Sequence, residues 1–119
     1  MSSHFAAMET DGGAGHPLGI NIKGKAEVKK MLTPVAAILQ ESGAGILNLV
    51  EHCGADIEPL EKAGVPAFSP IQDNRFYFNY HHTAADTLDK IVTKELAENS
   101  TVVAVLAYAL ANMEQPLPR

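Results

Sequence analysis

Apolar residues fall into short runs separated by glycine, proline and acidic residues, a punctuation that marks brief strands and helices. His4 to Met8 is the first run, and it ends abruptly in Glu9-Thr10-Asp11-Gly12-Gly13-Ala14-Gly15, as when a buried strand delivers acidic residues into a glycine-rich loop. Asp11 then stands where the C-terminal end of that strand would be. From Ala26 to Glu41, Val28, Met31, Leu32, Val35, Ile38 and Leu39 keep the i, i+3, i+4, i+7 spacing of an amphipathic helix, which Ser42-Gly43 stops. Pro34 lies inside that pattern, removing a backbone donor and clashing with the preceding turn, so a kink or a late start near Thr33 is expected.

Ile46 to Val50, bounded by Gly45 and by His52-Cys53-Gly54, reads as a second strand. Asp56 is a natural N-cap for a brief helix from Ile57 to Ala63, with Pro59 in its first turn, Glu58 and Glu61 suiting the positive helix end, and Gly64 closing it. Val65 to Ile71 is a third strand, and Pro66 and Pro70 favour its start and end, or an edge, over the middle of a sheet. Asp73 to Thr83 is polar and aromatic, a site loop by its character. A last helix starts at Thr93 or Thr101, with Leu96, Val103, Leu106, Leu110 and Met113 as its stripe, and Pro116 and Pro118 end the capacity for helix. Three strands alternating with about three helices imply an α/β sheet with crossovers and ligands at the C-terminal ends of strands. So small an allotment cannot cover a parallel sheet on both faces, and the chain reads as part of something larger.

Composition narrows the partners. The chain has 119 residues, 46% hydrophobic and 19% charged, as expected of one globular domain. Asp+Glu 14 against Lys+Arg 9 gives a net charge of -5 with no basic run, which argues against nucleic acid and against anionic membrane surfaces. Val102 to Met113 is far shorter than the roughly 20 residues of a membrane span, and the N-terminus has no signal-peptide pattern. A single Cys53 makes no intrachain disulfide and leaves the compartment open; with no feature to lower its pKa it reads as a small buried residue.

Tyr80-His81-His82-Thr83-Ala84-Ala85-Asp86-Thr87 is the densest chemical signal, two imidazoles beside a carboxylate and two hydroxyls. One histidine could ligate a metal with Asp86 or Thr83 orienting it; alternatively both are loop residues bonded to backbone, with Asp86 capping a turn. Asp11 could add a second ligand, or end a strand with no further role. His4, His16 and His52 are scattered and read as surface or structural residues.

Three stretches together resemble a known family: Met-Glu-Thr-Asp-Gly-Gly at 8–13, Gly-Ala-Asp-Ile-x-Pro-Leu-x-x-Ala-Gly-Val-Pro-Ala at 54–67, and Tyr-His-His-Thr-x-x-Asp-Thr-Leu-Asp-Lys-Ile at 80–91. Their order and spacing are similar to those of the zinc exopeptidases of metallopeptidase family 28, over essentially the whole chain. The resemblance implies a three-layer α/β/α zinc-exopeptidase (phosphorylase/hydrolase-like) fold with a mostly parallel sheet. It also implies two zinc ions, bridged by an Asp and a water, with a separate Glu as general base and peptides or dipeptides as substrates. By motif, Asp11 matches the terminal Asp ligand of one zinc and His82 the terminal His ligand of the other. His81 is then a neighbour, and Asp56, Gly64, Pro66, Tyr80 and Asp86 match positions that support the site without being catalytic.

The first His ligand, the bridging Asp, the catalytic Glu and the adjacent Glu ligand belong to the earlier part of the family's catalytic domain. Residues 1–119 are thus expected to be the C-terminal portion of that domain, through truncation, a split gene or a misplaced start. The isolated chain is expected to be inactive; one alternative is assembly, in which its exposed sheet edge pairs with a complementary N-terminal portion or with a second copy. The competing expectation is a noncatalytic interaction module, since relatives of the fold have lost their metals.

Overall fold

In the computed structural model, which describes residues 3–119, four strands form one sheet in the order β1-β4-β2-β3. They are β1 (Ala7–Met8), β2 (Pro17–Lys23), β3 (Ile46–Leu49) and β4 (Ala67–Gln72). The pairs β1–β4 and β2–β3 are parallel, and β2–β4 is antiparallel. The helices are α1 (Ala26–Met31), α2 (Thr33–Gln40), α3 (Glu58–Lys62) and α4 (Thr93–Ala111).

β2 is a central strand, and it is the one the pattern reading passed over. Its Ile20 and Ile22 are fully buried at period two, but Pro17 and Gly19 interrupt the apolar signal and give the segment the look of a loop. A register irregularity between Pro17 and Gly19 marks the same spot. Its parallel neighbour β3 is an edge strand, with Ile46 and Leu49 exposed.

Alternate faces of the sheet carry different layers. Ile20, Ile22 and Phe68 point to one side, where they pack with Val28, Leu32, Val35 and Leu39 of the α1–α2 region and with Val102, Leu106 and Leu110 of α4. Ala7 and Ala67 belong to the other side, where Leu60 of α3 packs with Ile57 and Cys53. The result is a three-layer α/β/α arrangement with one thick outer layer and one thin one.

Several local expectations hold. The 26–41 helix breaks at Leu32, and Pro34 sits in the first turn of α2, where its missing N–H costs nothing. Three details differ. The α4 stripe is Asn99, Val102, Leu106 and Leu110, so Val102 faces the core while Leu96 is exposed. Asp56 does not cap α3: the residue before the helix is Ile57, no described side chain caps the first turn, and the carboxylate of Glu9 holds the backbone N–H groups of Asp56 and Ile57 just ahead of it. Pro70 lies inside β4, which has neighbours on both sides. The carbonyls of Pro66 and Phe68 accept from Ala7 and Glu9. By the two-residue period Pro70 faces the same side, beyond the end of two-residue β1, where no donor is called for. No described helix is long and apolar enough to cross a membrane.

Candidate functional site

β1 and β4 run parallel and adjacent, so the segments leaving their C-terminal ends emerge side by side. One is the turn 9–15, and the other is the 73–92 segment with its single-turn helices at Tyr77–Asn79 and Leu88–Lys90. Between them lies a cleft of about 520 Å³ whose walls include Asp11, Tyr80, His81, His82 and Asp86. Five of the residues singled out from sequence thus meet in one place. Asp56 does not join them: it is exposed on the loop before α3 and contributes its backbone N–H to Glu9. Gly64 and Pro66 also lie away from the cleft, at the end of α3 and at the start of β4.

The first wall is tied to the interior. Gln72, buried at the end of β4, donates from Nε2 to the Gly13 carbonyl at 2.6 Å and to Asn99 Oδ1 at 2.9 Å. Asn99, buried on α4, donates from Nδ2 to the Gly15 carbonyl at 2.7 Å and to Glu95 O at 2.9 Å. Among the described residues no buried side-chain nitrogen or oxygen is left without a partner. These two amides escaped the sequence reading, although a polar residue at a core position of a helical stripe, as Asn99 is, was the available signal.

Carboxylates fix the loop that approaches the base of this wall. Glu9 Oε2 accepts from the backbone N–H of Asp56 at 2.9 Å and Ile57 at 3.1 Å. A Cβ at Gly54 would run into that carboxylate, so a side chain there would displace Glu9 from its present position. Glu61 is buried, with Cys53 N–H on Oε1 at 2.7 Å and His52 Nδ1 at 2.7 Å from Oε2. Burial pushes the Glu61 carboxyl up, but the hydrogen bonds from Cys53 and His52 outweigh it and hold the carboxyl below the usual range. Burial raises the Cys53 thiol, which keeps it protonated and weakly nucleophilic. His16 is likewise paired, 2.8 Å from Glu98.

The second wall is aromatic and exposed. His81 and His82 stack at 3.8 Å between ring centroids, and Tyr77 lies 4.6 Å from His81. His82 has φ 55, the only positive φ of a non-glycine residue among those described, a conformation costing about 1–2 kcal/mol. Thr83, not Asp86, makes the local cap: its Oγ1 donates to Tyr80 O at 2.6 Å and accepts from Ala85 N–H at 3.2 Å. Arg75 grips Asp73 with Nε 2.8 Å from Oδ2, and this holds the Asp73 carboxyl below its usual range. Among the described residues no group of three or more His, Cys, Asp or Glu is placed to hold a metal ion.

Known proteins resemble the whole of this arrangement. A crystal structure of a peptidase M28 precursor from Shewanella amazonensis SB2B superposes with a TM-score of 0.88 at 35% identity, covering 99% of this chain and 27% of that one. Carboxypeptidase Q of Homo sapiens is 32% identical over 120 residues, which take in 100% of this chain and 25% of that protein. For carboxypeptidase Q of Xenopus laevis the identity is 35% over 120 residues, with the same coverage. No family model matches the chain. The chain belongs with the M28 peptidases, a metallopeptidase family, as a stretch homologous to part of a full-length member. Within them it is similar from end to end to carboxypeptidase Q, while spanning about a quarter of the length of those curated relatives.

Proposed function

We propose that residues 1–119 form the C-terminal portion of the catalytic domain of a dizinc exopeptidase that hydrolyses terminal bonds of peptides or dipeptides. The observation that carries this reading is that Asp11 and His82, from the segments that follow two neighbouring parallel strands, line a single cleft. A carboxylate oxygen and an imidazole nitrogen are donors that zinc accepts, so the pair fits the metal chemically. Two donors are fewer than a zinc ion draws from protein; by the motif resemblance Asp11 would be a terminal ligand to one of two ions and His82 to the other. When bound, the zinc pair supplies a water of lowered pKa and polarises the scissile carbonyl.

This chain's residues hold and wall that site. Gln72 and Asn99 fix the turn that carries Asp11, while Tyr80, His81 and Asp86 line the cleft beside His82. The general base and the remaining ligands lie in another part of the domain, so the isolated chain is inactive. Sequencing the coding DNA upstream of Met1 tests the reading: an in-frame His, bridging Asp and paired Glu support it, and their absence removes the catalytic role. Robust peptide hydrolysis by the pure chain, abolished in His82→Ala, overturns the inactivity.

The open edge of β1 favours one further reading, a subunit of a split peptidase. Among the described residues β1 pairs only with β4, so its outer edge can take a strand from an N-terminal portion or from a second copy. Size exclusion with and without the N-terminal polypeptide separates the two, and a monomer in both conditions sinks them together. A noncatalytic interaction module is the weaker account, because it leaves the meeting of Asp11 and His82 in one cleft unexplained.

A further inference from the structure

Tyr77 touches both walls of the cleft. Its hydroxyl donates to the backbone carbonyl of Asp11 at 3.2 Å. Its ring lies on Gly13, whose φ of +88 belongs to glycine and where an added Cβ would stand 2.8 Å from Tyr77 Cδ2. On its other side the ring is 4.6 Å from His81, and His81 stacks on His82 at 3.8 Å with an interplanar angle of 22°. Phe78 closes the cluster edge-on, 5.0 Å from Tyr77 and 5.9 Å from His81. A continuous chain of contacts therefore runs from the main chain of Asp11, through the Tyr77 ring and His81, to the His82 imidazole.

We propose that Tyr77 is the positioning residue that couples Asp11 to His82, setting the distance between the two side chains that face the cleft. The need for such a residue follows from where they sit. Asp11 is anchored through a turn fixed by buried amides, whereas His82 occupies a left-handed position in an exposed loop with no regular structure to orient it. A rigid ring that contacts one wall by hydrogen bond and the other by stacking transmits the order of the first to the second. Residues that orient metal ligands in this way typically contribute 10–100-fold in metal affinity. The inference rests on Asp11 and His82 being zinc ligands, and its test separates the two claims.

The experiment is NMR of the 119-residue chain with Co²⁺ as the probe. In the unsubstituted chain, ring currents from His81 displace the His82 ring protons, and with the N-terminal portion of the domain added Co²⁺ broadens both Asp11 and His82. In Tyr77→Ala the His82 ring signals move toward free-imidazole positions, Gly12 and Gly13 amides shift, and the Co²⁺ needed for half-broadening rises by about tenfold or more. Tyr77→Phe keeps the stack and loses the hydroxyl, so its changes are confined to Asp11 through Gly13. Unmoved methyl signals of Ile20 and Leu106 establish that both variants are folded. His82 signals and a Co²⁺ profile unchanged in Tyr77→Ala overturn the coupling. Because each ion takes only one ligand from this chain, the Co²⁺ measurement is made with the N-terminal portion of the domain added; if Co²⁺ then broadens neither residue while Tyr77→Ala still moves the His82 ring, the zinc reading falls and the positional link stands.

Discussion

The turn from Thr10 to Gly15 is tied to the interior by Gln72 and Asn99, whereas the 73–92 segment facing it holds itself by ring contacts and one-turn backbone hydrogen bonds. Exposure follows the same division. Gln72 and Asn99 are buried, while Phe76, Phe78 and Leu88 are 63%, 72% and 86% exposed. The difference teaches that this cleft has one wall held directly by the core and one held by its own local contacts and, through Tyr77, by the first wall. Segments of the second kind open at low free-energy cost, and binding residues are often found on them.

Removing the packing under the first wall is the most damaging way to break this comparison. Leu106→Ala leaves a cavity beneath α4, the helix that carries Asn99, and is expected to cost about 2–5 kcal/mol in urea unfolding. Asn99→Leu spares most of the packing but orphans the Gly15 carbonyl, with an expected cost of about 1–3 kcal/mol. Amide exchange should then accelerate most at residues 12–15 and, through the Tyr77 contact, to a smaller degree at 77–83; unchanged exchange at 12–15 would show that the buried amides do not hold that turn.

Acid sharpens the same contrast. Glu61 has a folded-state carboxyl below the ordinary value of 4.5, so its ionised form stabilises the fold fully above that value. The contribution is lost as pH falls through the lower folded value, so thermal stability should drop below about pH 4.5. Glu61→Gln should flatten that part of the pH profile, and an unaltered profile would assign the acid loss elsewhere. At the other extreme, Phe78→Ala in the exposed wall should change global stability by no more than about 0.5 kcal/mol while shifting the His81 ring signals.

Legibility followed the range of the interaction. The helix break before Pro34, the strands near 46–49 and 67–72, and the acidic residues entering a glycine-rich turn all came from neighbours in sequence. The motif resemblance then drew Asp11 and His82 together before any coordinates did. β2 was missed because Pro17 and Gly19 carry loop chemistry, and its strand character comes from β3 and β4 on either side. Asp56 looked like the cap of α3 because caps are usually local, but its side chain caps nothing there and its backbone N–H is held by Glu9 from 47 residues away.

Sequence by itself determined which segments could be helix or strand, which residues could bind a metal, and to which family of proteins they correspond. Periodicity and turn chemistry act over a few residues and leave their trace in the string. Only the tertiary structure decided that β2 is central, that Gln72 and Asn99 hold the Gly13 and Gly15 carbonyls, and that Tyr77 stands between Asp11 and His81. Each of these depends on strand pairing and helix packing that bring segments distant in sequence together. A buried amide or an aromatic ring has a partner only after that approach has been made.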